Sequence, residues 1–93
     1  MLRITQFNED QNTLRLRLDG VIAGEALDEL RAACSTIRNN GATKLIFDMA
    51  GVDFMSNQAA QELLELSTGN CGIINCSPFI STLLETVNLE KQP

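Results

Sequence analysis

Three groups of residues in this chain have the types and spacing from which chemistry is made. They are the carboxylates Asp48 and Asp53, the thiols Cys34, Cys71 and Cys76, and the polar pair Ser56-Asn57. Two carboxylates close in sequence can share acid–base work or hold a metal, but both tasks need company. The chain has no His, no third carboxylate stands near the pair, and no Gly-rich loop offers backbone amides to a phosphate. No catalytic residue, metal site or cofactor is therefore expected, and the protein does not read as an enzyme. Asp48 suits a strand end that meets the positive end of a helix, and Asp53 a loop surface. The cysteines are an odd set and read as reduced thiols. A thiol without a base beside it is a poor nucleophile. Cys34 falls on an apolar helix face as a small buried hydrophobe. Cys71 and Cys76 flank a short strand without redox spacing.

That leaves Ser56-Asn57, whose setting depends on the elements around it. Lys44–Met49 reads as a short buried strand in which Leu45, Ile46 and Phe47 form an apolar run that Ala50-Gly51 breaks. From Gln58 the apolar period becomes helical, with Ala59, Ala60, Leu63 and Leu64 on one side. Between the two, 52–57 is a connection that drops apolar anchors and then offers capping side chains. Ser56 or Asn57 can accept a hydrogen bond from the free N–H groups of the first helical turn. The bland reading stops at that cap. The functional one makes this junction, with its positive helix-end potential, the centre of a binding face.

The rest of the chain frames that junction. A strand runs from Leu2 to about Phe7, and the polar cluster 8–12 turns the chain. The second strand, Thr13–Leu18, alternates Leu14, Leu16 and Leu18 with Arg15 and Arg17, and Asp19-Gly20 ends it. A helix is expected over Glu25–Asn39, with Leu27, Leu30, Ala33, Cys34 and Ile37 as its stripe and Asn39-Asn40-Gly41 as its stop. Ser67-Thr68-Gly69-Asn70 keeps the second helix short. A strand at Gly72–Asn75 leads to Ser77-Pro78, a cap followed by proline at the first helical position. The last helix carries Ile80, Leu83, Leu84 and Val87; Leu89 pins its end and 90–93 frays.

Strands separated by helices imply parallel pairing, and the opening hairpin adds an antiparallel edge. The expected fold is α/β: a four-stranded, mostly parallel sheet with an antiparallel edge and three helices packed on one face, residues 1–93 making one domain. The other face is left open, with Arg15, Arg17 and Arg3 as a basic stripe. It is either a solvated strand face or a docking patch for an acidic protein.

Composition narrows the partner. With 12 acidic and 7 basic residues the net charge is −5, and Trp and Tyr are absent. Neither bulk attraction to phosphates nor stacking on bases is supplied, so no nucleic acid is expected. No apolar run approaches the roughly 20 residues that cross a bilayer, so membrane insertion is not expected either. The start of the chain is polar by its eighth residue, unlike a secretory signal, which makes the cytoplasm the default address.

The run LIFDMAGVDFMSNQAA resembles the core motif of STAS domains, the family of bacterial anti-sigma-factor antagonists and related regulators. In that family a hydrophobic strand ends in Asp plus an apolar residue, here Asp48-Met49. A Gly-Val-x-Phe connection follows, here Gly51-Val52-Asp53-Phe54, and then Asp-Ser-Ser-Gly or a relative at the helix start. Leu18-Asp19-Gly20 and Asn75-Cys76-Ser77-Pro78 extend the likeness over nearly the whole chain. The last motif departs: Ser56 stands where the family has Asp, Asn57 where it commonly has the phosphorylated Ser, and Ala59 where it has Gly.

The resemblance implies a non-catalytic regulator that binds a protein partner through the second helix. The partner would be an anti-sigma kinase-like ATPase or, alternatively, the ATPase of an ABC lipid-transport assembly in which the chain is a STAS subunit. Its contacts would be Met55, Ser56, Asn57 and Gln58 in the turn, with Gln61, Glu62 and Glu65 on the helix. Phosphorylation in the family would add roughly −2 charge at this site and disrupt a docked acidic partner. Asn57 has no hydroxyl to modify. Ser56 does, but one helical residue turns a side chain by about 100°.

Overall fold

The alternation of Leu and Arg along the second strand decides which way the sheet faces. A computed structural model describes residues 2–39, 41, 44–67 and 71–91, the last two by backbone alone. In it β1 (Leu2–Asn8) and β2 (Thr13–Ile22) form an antiparallel hairpin. Then β3 (Lys44–Met55) and β4 (Cys71–Ile74) add in parallel, giving the spatial order β1-β2-β3-β4. The helices are α1 (Glu25–Asn39), α2 (Asn57–Leu66) and α3 (Pro78–Lys91).

Leu16 and Leu18 of β2 are buried in one cluster with Leu45, Phe47 and Met49 of β3. The stripes of all three helices close over them: Leu30 and Cys34 from α1, Ala60 and Leu63 from α2, Ile80 and Val87 from α3. Each such Leu, Phe or Ile contributes about 1.5–3 kcal/mol by leaving water. Ala33, Leu14 and Leu83, expected inside, are half-buried. The opposite face holds Arg15 and Arg17 and is the open one. This is the α/β sheet with an antiparallel edge that the sequence implies.

The largest departure lies where β2 and β3 were expected to stop. Both run on, β2 through Asp19-Gly20 to Ile22 and β3 through Ala50-Gly51 to Met55. Register shifts between Arg17 and Asp19 and between Gly20 and Val21 absorb the irregularity. Gly20 sits there at φ 105°, open to glycine at little cost. Gly51 has a different reason: a Cβ on it would lie 1.8 Å from Asp19 Oδ1 and 3.0 Å from the Leu18 carbonyl oxygen. What reads as a strand breaker is a place where two strands approach closely.

Smaller corrections follow the same physics. β4 begins at Cys71 and ends at Ile74, one residue earlier than its apolar run suggests. Leu89 is 67% exposed and pins nothing. Ser77 Oγ accepts from the Ile80 N–H at 3.2 Å, so the cap ahead of Pro78 forms as expected. Gly41 closes α1 with its N–H on the Arg38 carbonyl at 3.1 Å. Asn40, Thr68-Gly69-Asn70 and Gln92-Pro93, expected as turn and terminal residues, lie outside the described residues.

Candidate functional site

Extension of β3 to Met55 places the start of α2 at the sheet's end, without an intervening loop. The Ser56 N–H donates to the Ile22 carbonyl at 3.1 Å, tying the junction to β2. Ser56 stays extended at φ −73° and ψ 163°, and its Oγ accepts from the Ala59 N–H at 3.1 Å. The open choice of cap thus resolves to Ser56, and Asn57 is the first helical residue. Met55, named with the contact residues, is 1% exposed and belongs to the core. Strand alternation explains it, since Met55 pairs with buried Ile22 while Phe54, beside it, points outward opposite Val21.

Of the remaining residues, Asn57, Gln58, Gln61 and Glu65 are exposed, and the last three recur at helical spacing. Glu62 is half-buried and occupied. Arg31 of α1 donates to it twice, Nη2 to Oε1 at 2.9 Å and Nε to Oε2 at 3.1 Å. This two-pronged pairing fixes α2 against α1.

Next to the cap lies a feature that the sequence reading missed. Phe54 is 47% exposed and Phe79 51%, and their rings stack with centroids 6.1 Å apart at 22°. Val21, also exposed, is the register partner of Phe54. Phe54 belongs to the connection expected to drop apolar anchors, and it points outward. A sequence signal existed for Phe79, which lies one position off the Ile80, Leu84, Val87 stripe.

Asp48 is buried, and it meets an arginine, not a helix end. Arg15 Nη1 donates to its Oδ2 at 2.7 Å, while Asn75 Nδ2 and the Ala50 N–H each donate to Oδ1 at 3.1 Å. Burial works against its charge, but the Asn75, Ala50 and Arg15 donors together hold the carboxyl below its ordinary value. A carboxylate so engaged is a structural group. Asp53 is exposed on β3, not on a loop. Two arginines of the basic stripe are likewise spoken for: Arg15 also pairs with Glu9 and lies over the Phe7 ring, and Arg17 pairs with Asp19 at 3.3 Å, while Arg3 is exposed. At the other end of the sheet, a cleft of about 250 Å³ beside the β1–β2 turn includes Gln6, Asn8 and Asp10. The Asp10 carboxylate there receives the Asn12 and Thr13 N–H groups, so it serves the turn.

No family model matches the chain, and no curated protein matches it. Solved structures do. The anti-sigma factor antagonist SpoIIAA in its unphosphorylated form superposes with a TM-score of 0.76 at 24% identity, covering 94% of this chain and 82% of that one. The phosphorylated form of the Bacillus cell fate determinant SpoIIAA gives 0.66 at 21% identity, over 95% of this chain and 86% of the other. An antisigma-factor antagonist STAS domain from Rhodobacter sphaeroides gives 0.57 at 11% identity, over 80% and 86%. At these identities the likeness is one of architecture: the chain has the fold of the STAS-type anti-sigma-factor antagonists.

Proposed function

We propose that this chain is a non-catalytic, cytoplasmic regulatory domain of the anti-sigma-factor antagonist type, and that α2 with its capped start is its docking face. The observation that carries the reading is the superposition on an anti-sigma factor antagonist over 94% of the chain. The site supports it. Asn57, Gln58, Gln61 and Glu65 are exposed on a helix whose other side is buried and whose Glu62 is clamped by Arg31. A rigid, pre-formed helix face loses little freedom on binding. The partner is a protein, an anti-sigma kinase-like ATPase, and docking is not switched by phosphorylation at Asn57.

The test is to recover the tagged chain from its native cell with its partner, identify the partner by mass spectrometry, and titrate it against Gln61→Trp. The expected result is an anti-sigma kinase-like ATPase whose affinity falls by about tenfold or more in the variant, on an unchanged thermal melt. Recovery of an ABC ATPase would assign the chain to a transport assembly instead. Unchanged affinity would move the docking face away from α2.

A further inference from the structure

Residues 45–90 contain no Lys or Arg, while they hold Asp48, Asp53, Glu62, Glu65, Glu85 and Glu90. Two cations of α1 reach α2 and are engaged, Arg31 on Asp28 and Glu62, Arg38 on the Leu66 carbonyl. Asp48 is answered by Arg15, but Asp53, next to Phe54, and Glu85 on α3 are exposed acids. Both rings of the stack thus belong to a stretch whose formal charges are all negative, with Asp53 beside Phe54; on the β2 side, towards Val21, Asp19 is answered by Arg17, and Arg3 of β1 is exposed opposite Asp19. Aromatic side chains are enriched at the buried centre of interfaces.

We infer that the Phe54–Phe79 stack with Val21 is the anchor of the docking face, and that it receives an apolar segment of a protein partner flanked by Lys or Arg. This rests on the reading of α2 as the docking side and gives its partner a chemistry. The acidic partner expected from the effect of an added phosphate is set aside, because Asp53 beside the stack and the cation-free stretch that carries both rings would repel it. Anionic membrane and nucleic acid are disfavoured by the same sign. An apolar side chain laid over the two rings and Val21 supplies the desolvated centre, and Asp53 with the other acids of 45–90 steers a basic approach.

The test uses two synthetic helical peptides with one shared leucine stripe, one flanked by Lys and Arg and the other by Glu, titrated into the isotope-labelled chain. The basic peptide is expected to shift the amide resonances of Val21, Phe54 and Phe79, with affinity falling as sodium chloride rises. Phe79→Ser should weaken it by about tenfold or more, and Asp53→Lys, a surface change that leaves packing intact, should weaken it too. Absence of shifts, equal binding of the acidic peptide, or full affinity in both variants overturns the anchor. Against the native partner the two readings separate. If Gln61→Trp blocks binding while Phe79→Ser does not, α2 docking stands and the anchor falls; the converse keeps the anchor and removes the α2 stripe.

Discussion

Arg15 and Asp48 pair across β2 and β3 at 2.7 Å although the strand ladder sets Arg17, not Arg15, opposite Asp48. Arg17 turns to Asp19, and Arg15 reaches diagonally to the buried carboxylate. The pairing ties Arg15 into a set of closed local contacts on the open face of the sheet, with Glu9 and Phe7 at its outer end.

Removing that carboxylate should register in stability and in its pH dependence. Asp48→Asn, which keeps the shape but loses the charge, should cost about 1–3 kcal/mol at neutral pH. The folded-state pKa lies below the ordinary 3.8. The contribution is thus complete above that value and is lost as pH falls through the lower, folded one. Urea melts of both proteins should differ at pH 7 and converge under strong acid. A constant difference across that range would count against the ionised pairing.

The left-handed backbone at Asn75, φ 59°, puts its side chain on Asp48. Asn75→Ala loses that hydrogen bond and leaves a Cβ-bearing residue without local support in this region, at about 1–3 kcal/mol in total. Asn75→Gly loses the bond alone and should be the milder change. If melts gave the two variants in the opposite order, the conformation at 75 would have to be different.

Gly51→Ala should destabilise by about 1–3 kcal/mol, because the new methyl meets Asp19 and the Leu18 carbonyl. Asp19→Ser in the same chain should recover part of that loss, since the nearer clash is with the carboxylate. A double-mutant cycle measures it. Full additivity would show that the two residues do not touch.

Phe47, fully buried, and Leu89, 67% exposed, bracket the range of apolar truncations. Phe47→Ala should cost about 3–5 kcal/mol and can abolish folding in a chain this small. Leu89→Ser should stay within about 0.5 kcal/mol. Chemical denaturation of the pair is sufficient, and a large effect at Leu89 would place it in a packed contact.

Ser56 and Asn57 separate cap from first turn. Ser56→Ala should cost about 0.5–2 kcal/mol through the lost bond to the Ala59 N–H. α2 carries no acid in its first turn. Asn57→Asp should therefore raise stability, by about 0.3–1 kcal/mol. Thermal melts at low salt report both, and a stabilised Ser56→Ala protein would deny it the cap.

Much of this architecture was legible because periodicity is a local property. The limits of α1 follow from its stripe and its stop, and the Ser77-Pro78 start of α3 from capping chemistry. The continuation of β2 and β3 was not legible, since Gly51 reads as a breaker until the neighbouring strand shows what would collide with a Cβ. The candidate site divides the same way. Asn57, Gln58, Gln61 and Glu65 lie on the surface as the helical period implies. Met55 faces inward because strand alternation persists to the cap, and Glu62 is claimed by Arg31 from a helix distant in sequence. The Phe54–Phe79 stack joins residues from two elements, and no local pattern reports such a meeting.

Burial gives Cys34 a use as a clock. Its thiol is 1% exposed, and desolvation pushes its pKa up to about 11, so in the native state it is both shielded and protonated. Cys71 and Cys76 are only half-buried. A thiol-alkylating reagent should therefore take up two equivalents ahead of a third, whose rate follows the small population in which α1 has lifted from the sheet. The molecule carries its own opening reporter, and the slow equivalent reads the stability of its core without any added probe.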